Sequence, residues 1–311
     1  MSLITNYGSV AVVRGSKGGK PTEQPVILTF VLKSAGSIVL GCGAMGTTKN
    51  SYGVPYKWDI SVDGSPLTTY EGSSSPVATV DLGTFSAGTH TVRIFKSAGA
   101  PTNWIRGLSF YAAIKLGSYL ELTKVEGVFP NVPLVANCYY NMFYGCENLT
   151  SVGRDLLPAT TMADSCYMNM FSKCTALVKV PELPATALAT SCYESMFSEC
   201  ENITRVLSFV LFLPATVLAN RCYYRMFYKC IGLINVPDLP ATSQVTSCYT
   251  EMFSGCTSLQ SIRVGATEWS ITSAQNWVKD VPTGGTFTKP NRTTIPTGVS
   301  GIPSGWTVVN V

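Results

Sequence analysis

Hydrophobic and polar positions alternate in short runs through the first third of the chain. Examples are Val26-Ile27-Leu28-Thr29-Phe30-Val31-Leu32, Trp58-Asp59-Ile60-Ser61-Val62 and Thr89-His90-Thr91-Val92-Arg93-Ile94-Phe95. Further runs lie at 37–41, 77–82 and 108–114. Turn signals separate them, among them Asp63-Gly64-Ser65-Pro66 and Ser86-Ala87-Gly88. A period of two with turns at this spacing predicts short half-buried strands of an antiparallel β-sandwich.

Beyond residue 117 the pattern changes. Leucine or isoleucine followed three residues later by valine or isoleucine recurs at Leu149/Val152, Leu177/Val180, Ile203/Val206, Leu233/Val236 and Leu259/Ile262. Between these pairs runs Cys-Tyr-x-x-Met-Phe-x-x-Cys, at 138–146, 166–174, 192–200, 222–230 and 248–256. Its first cysteines lie 28, 26, 30 and 26 residues apart (166−138, 192−166, 222−192, 248−222). A fixed period in this range signals a solenoid. Each Leu-x-x-Val predicts a short strand of a parallel stack. Cys, Met and Phe at i, i+4 and i+5 predict a helical return with one buried face. Pro in Leu-Pro-Ala-Thr cannot donate to a ladder and marks the strand end. The predicted class is therefore mixed α and β: an arm (1–22), a jelly-roll-like sandwich (23–116), the solenoid (117–264) and a β-rich cap (265–311). The cap holds Trp269, Trp277 and Trp306 and breaks the period.

The phrase Phe-x-x-Cys-x-x-Leu-x-x-Val, as in Phe143, Cys146, Leu149 and Val152, followed by Leu-Pro and a return ending in Phe, resembles the BspA-like leucine-rich repeat. The resemblance covers residues ~120–262. Cys-Tyr-x-x-Met-Phe stands where Ile-Gly-x-x-Ala-Phe is more usual in that family, so the packing of the return is expected to differ. The resemblance implies a solenoid used for protein or surface binding, on bacteria, their viruses and some protozoa. The ending Ile302-Pro303-Ser304-Gly305-Trp306 resembles the closing segment of related repeat proteins of gut bacteria and their phages.

Charge refines the picture only modestly. The net charge is +4 with 13% charged residues, and no clustered basic stripe of the kind a nucleic-acid binder carries is present. No apolar run approaches the ~20 residues of a membrane span. Met-Ser-Leu-Ile-Thr-Asn-Tyr-Gly has no basic region followed by an apolar one, which favours synthesis and folding in the cytosol. Of eleven cysteines, ten belong to the repeat. They are expected to be stacked free thiols acting as small hydrophobes; Cys42 is left over.

Chemistry-bearing residues are sparse. His90 is the one histidine, so a cysteine nucleophile lacks a base, and no zinc spacing occurs. No catalytic residue, metal or cofactor is assigned. Tyr140, Tyr144, Tyr224 and Tyr228 occupy positions that vary between repeats and are candidate binding residues. The longer unit between Cys192 and Cys222 carries Leu207, Phe209, Leu211 and Phe212, candidate oligomer contacts. The leading reading is a non-enzymatic adhesion or receptor-binding protein. It would be a phage head- or tail-fibre component, made in the host cytoplasm, displayed on the virion and homo-oligomeric. Its partners would be host-surface protein or glycan and other virion proteins, with no nucleic acid and no membrane insertion. The alternatives are a bacterial surface or secreted adhesin, and a glycan-binding or glycan-active module using paired carboxylates among Asp59, Asp63, Glu71 and Asp81.

Overall fold

The computed structural model describes residues 25–32, 35–43, 57–71, 77–96, 120–204 and 213–311, apart from 130, 132, 135 and 237. The strands in the N-terminal part are β1 (Val26–Leu32), β2 (Gly36–Gly43), β3 (Lys57–Val62), β4 (Thr68–Glu71), β5 (Val77–Phe85) and β6 (Gly88–Lys96). Strand β7 (Leu120–Glu126) leads into the array, where β8 (Ser151–Val152) and β9 (Ser261–Arg263) lie. Strands β10 (Thr286–Lys289) and β11 (Thr307–Asn310) close the chain.

The expected alternation holds in β1 and β6, whereas in β3 Asp59 and Ser61 are buried as well as Ile60 and Val62. Val26, Leu28, Ile60, Val62, Val92 and Ile94 are buried on one face. Register keeps them together: Val26 faces Ile94 and Leu28 faces Val92. Asp63 and Gly64 both have positive φ (51° and 78°), the conformation an Asp-Gly hairpin turn requires. The expected sandwich, however, is not what these strands build. They form an open six-stranded sheet in the order β4-β3-β6-β1-β7-β8 and a separate two-stranded sheet β2-β5. The reason is β7. It pairs antiparallel with β1 on one side and parallel with β8 on the other, Val125 facing Val152. The N-terminal sheet thus runs on into the parallel stack of the array.

The second correction concerns the return segments. Among the described residues there is no helix, so the fold is β-rich rather than mixed α and β. Each Cys-Tyr-x-x-Met-Phe-x-x-Cys segment is a ribbon of consecutive tight turns. In the third copy Cys192, Glu194, Met196, Ser198 and Cys200 each donate their N–H to the carbonyl three residues back. The alternate N–H groups, of Ser191, Tyr193, Ser195, Phe197 and Glu199, reach instead to carbonyls of the next coil, on Asn220, Cys222, Tyr224, Met226 and Tyr228. Every backbone donor is thereby used, half within the coil and half between coils.

This geometry puts every fourth residue in the left-handed region: Ser191, Ser195 and Glu199, then Arg221, Arg225 and Lys229. That conformation costs an L-residue about 1–2 kcal/mol, and the ladder to the neighbouring coil holds it in place. At the last such position the first and fifth copies use Gly145 and Gly255, for which it is free of strain.

The ribbon buries Cys192, Tyr193, Met196, Phe197 and Cys200, and their counterparts in the other copies except Cys146 of the first, which is partly exposed. Burial of Cys, Met and Phe agrees with the sequence reading. Burial of the tyrosine after the first cysteine is added by the structure. Stacking coils aligns the rings in two columns. Phe143, Phe171, Phe197, Phe227 and Phe253 follow one another with centroids 5.2–5.8 Å apart. Phe129, Tyr139, Tyr167, Tyr193, Tyr223 and Tyr249 form the second, at 4.6–6.1 Å. Both columns end on Trp277.

The ten array cysteines are free thiols. From the second coil on, the second cysteine has a specific role: the Sγ–H of Cys174, Cys200, Cys230 and Cys256 donates to the carbonyl of Phe143, Phe171, Phe197 and Phe227 in the preceding coil, at 3.0–3.1 Å.

Stacking continues past the last sequence repeat. Tyr249, Glu251, Phe253 and Gly255 donate to Ser273, Gln275, Trp277 and Lys279, so residues 273–279 trace one more rung of the ribbon. Strands β9, β10 and β11 form a three-stranded parallel sheet of their own. The period is lost in sequence here because single tryptophans replace the paired apolar residues. The indole N–H groups of Trp277 and Trp306 are satisfied by the carbonyls of Gly301 and Pro282.

Candidate functional site

The outward positions of the ribbon form columns across the coils. One column reads Tyr140, Met168, Glu194, Tyr224, Thr250, and the next reads Tyr144, Ser172, Ser198, Tyr228, Ser254. The left-handed positions supply three more, with Asn137, Asn141, Ser165, Asn169, Ser191 and Ser195 on the early coils. On the fourth coil every one of these outward positions is large: Arg221, Tyr224, Arg225, Tyr228 and Lys229.

These five side chains pack on one another. The Arg221 guanidinium lies 3.9 Å from the centre of the Tyr224 ring. Arg225 lies 5.1 Å from Tyr224 and 5.2 Å from Tyr228, and the Lys229 ammonium 5.2 Å from Tyr228. Cation–π contacts at such distances contribute about 0.5–2 kcal/mol each. Carboxylates from both neighbouring coils pin the arginines. Glu194 accepts a fork from Arg221, at 3.0 and 2.6 Å. Glu251 accepts from Arg225 and from the Tyr224 hydroxyl, the latter at 3.4 Å. The hydrogen bond to Glu194 raises the pKa of Arg221, and that to Glu251 raises the pKa of Arg225. Glu194 is almost fully buried under this network, with 8% of its side chain exposed.

Tyr140, Tyr144, Tyr224 and Tyr228 are all half-buried rather than freely exposed. The structure brings them together as two pairs, not as one patch, with the second and third coils between. Tyr144 is covered by Lys173, 5.8 Å from its ring centre, and the hydrogen bond that the Lys173 ammonium donates to the Tyr144 hydroxyl is the main cause of the raised Lys173 pKa. Leu207, Phe209, Leu211 and Phe212 lie outside the described residues. The flanking groups Arg221, Arg225, Lys229, Glu194 and Glu251 were missed in the sequence. Their signal is the spelling Arg-Cys-Tyr-Tyr-Arg-Met-Phe-Tyr-Lys, in which each residue not shared with the other copies is cationic or aromatic.

The carboxylates of the N-terminal part are differently engaged. Asp59 is buried and accepts from Thr69. Asp63 accepts from the Thr91 N–H at 2.8 Å and from His90 Nδ1 at 2.7 Å. His90 Nε2 donates to the Ser86 carbonyl at 2.9 Å. Burial opposes the charge on His90, but the bonds to Asp63 and Ser86 outweigh it and its pKa is raised. The side chains of Glu71 and Asp81 lie outside the described residues. Among the described residues no cluster of three or more His, Cys, Asp or Glu side chains is arranged to hold a metal. No helix there is long and apolar enough to cross a membrane.

A profile of the BspA type leucine rich repeat region matches residues 128–214 and 211–276, in six copies. No curated protein and no solved structure matches the chain. Six matched copies, parallel strands one coil apart and a continuous apolar interior agree: residues 128–276 form a BspA-type leucine-rich repeat region, a repeat type that suggests a surface or protein-binding role.

Proposed function

We propose that the chain is a non-enzymatic receptor-binding component of a phage particle, a head- or tail-fibre protein. In this reading it displays the turn ribbon of its repeat array to a host-surface protein or glycan. The carrying observation is the fourth coil, whose outward positions are Arg221, Tyr224, Arg225, Tyr228 and Lys229, where its neighbours carry Ser191, Glu194, Ser195, Ser198 and Glu199 on one side and Ser247, Thr250, Glu251, Ser254 and Gly255 on the other. Tyrosine and arginine dominate the energetics of protein interfaces. Here Glu194 and Glu251 hold them in place before any partner arrives, so little ordering entropy remains to be lost on binding. The free-thiol interior supports synthesis in a reducing cytoplasm.

Two measurements test the reading. Proteomics of purified phage particles encoding the chain is expected to find it among the virion proteins; its absence from particles overturns the location. Binding of the labelled protein to host cells is expected to fall at least tenfold on Tyr224→Ala plus Tyr228→Ala, with the melting temperature kept within a few degrees. Unchanged attachment overturns the role of the fourth coil.

A further inference from the structure

The two ends of the array are treated differently by the fold. At the N-terminal end the parallel stack is covered, because β7 continues it into β1 and the rest of the six-stranded sheet. At the C-terminal end β11 has a single strand neighbour among the described residues, β10. Solenoid ends expose an apolar layer and an unpaired backbone edge, and they are normally closed by a polar cap. Free edges are blunted with lysine, proline, bulges or inward charges. Strand β11 and the residue after it read Thr307-Val308-Val309-Asn310-Val311, with none of these devices. All five side chains are exposed, Val308 and Val309 each at 40%. Exposed large apolar residues also gather on these final coils: Ile271, Val299, Val308, Val309 and Val311.

The register specifies what this edge, open among the described residues, offers. Thr307 and Val311 turn their N–H groups toward β10, to the carbonyls of Gly285 and Lys289. Strand alternation then directs the N–H and C=O of Val308 and Asn310 outward. From this placement we propose that β11 is the contact of a two-fold dimer, in which it pairs antiparallel with β11 of a second copy. Only residues whose backbone groups point outward can exchange bonds, and an axis beside Val309 is the one that engages both Val308 and Asn310 of each copy. Val308 of each copy then pairs with the partner's Asn310, and Val309 packs on the partner's Val309. Thr307 packs on the partner's Val311. No charged side chain faces another across this axis, and every cross-strand pair is apolar or neutral, which is the pattern that stabilises antiparallel neighbours. The contact is self-complementary, as a closed two-fold interface requires. A dimer formed this way joins two arrays end to end and leaves both fourth coils uncovered by the contact.

The test is the molar mass of the full 311-residue chain in solution, by sedimentation velocity over about 1–100 µM. The expected result is twice the monomer mass at the upper concentrations. Val308→Pro removes one outward N–H and leaves the bonds to β10 intact, and Val309→Glu sets like charges against each other across the axis. Both are expected to raise the dimer dissociation constant at least tenfold, while Trp306 fluorescence and the melting temperature stay as in the unmodified dilute protein. A monomer at every concentration overturns the proposal. So does a dimer whose dissociation constant is unmoved in both variants.

Discussion

Replacing Tyr193 by phenylalanine is expected to stabilise the protein. The Tyr193 ring is central in its column, 5.8 Å from Tyr167 and 6.0 Å from Tyr223, nearly parallel to the first. The residue is 1% exposed, and its hydroxyl is buried with no hydrogen-bond partner among the described residues. Burial raises its pKa well above the ordinary value, so the group stays neutral. An unsatisfied buried hydroxyl costs about 1–3 kcal/mol. Tyr193→Phe removes that oxygen and keeps the ring, its stacking and its apolar area, so the cost is returned and only a small void is added. The expected gain is about 1 kcal/mol, or roughly 2–3 °C in melting temperature for a chain of this size. Tyr223→Phe is the control, because the Tyr223 hydroxyl is not among the unsatisfied groups; it is expected to be neutral or slightly destabilising. Calorimetry and urea unfolding read both. A loss of 0.5 kcal/mol or more in Tyr193→Phe refutes the reasoning, since it means the hydroxyl is bonded in solution.

Three other outcomes follow from the same geometry. Gly285→Ala would place a Cβ 2.5 Å from the Trp306 ring; it is expected to cost about 1–3 kcal/mol and to shift tryptophan emission, whereas an unchanged spectrum and stability would contradict the packing of the final coils. Burial pushes the Cys222 and Cys256 thiols up to about 12, so native protein at pH 8 is expected to react slowly with a thiol reagent and fully once unfolded in urea; rapid reaction of the native array would contradict a closed interior. The raised pKa of His90 means its charged form stabilises the fold fully below about pH 6.5, and that contribution is lost as pH rises through the folded value; one-histidine proton NMR is expected to show the raised midpoint and its fall in Asp63→Asn, and a midpoint at or below the ordinary value would contradict the pairing.

How much of this was readable beforehand differs by element. The period, the free thiols and the burial of Cys, Met and Phe follow from spacing alone. The form of the return does not. Over nine residues, buried positions such as Cys192, Tyr193, Met196, Phe197 and Cys200 fit one face of a helix almost as well as a ribbon that repeats every four residues. What separates the two is the residue before each buried pair. Asn137, Asn141, Asn169, Gly145 and Gly255 tolerate positive φ and are poor helix formers, and that four-residue rhythm was available in the sequence. The sandwich failed for another reason: alternation in β1, β3 and β6 says that one face is buried, not which strand sits beside them. That neighbour, β7, is a non-local pairing set by the start of the array. In the candidate site the tyrosines were visible. Their half-burial was not, because Arg221, Arg225 and the glutamates that hold them come from three coils that only stacking brings together.

The rungs of the ribbon bear on mechanics. Backbone bonds from Tyr193, Ser195, Phe197 and Glu199 to the following coil run along the long axis of the array. A pull on the two ends therefore loads all rungs of one interface side by side and successive interfaces one after another. Failure begins at the weakest junction and releases a coil at a time. Each unravelled unit of 26 residues (192−166) lengthens the tether by up to about 90 Å at ~3.3–3.6 Å per residue, so the array yields under tension in steps and dissipates work as it does so.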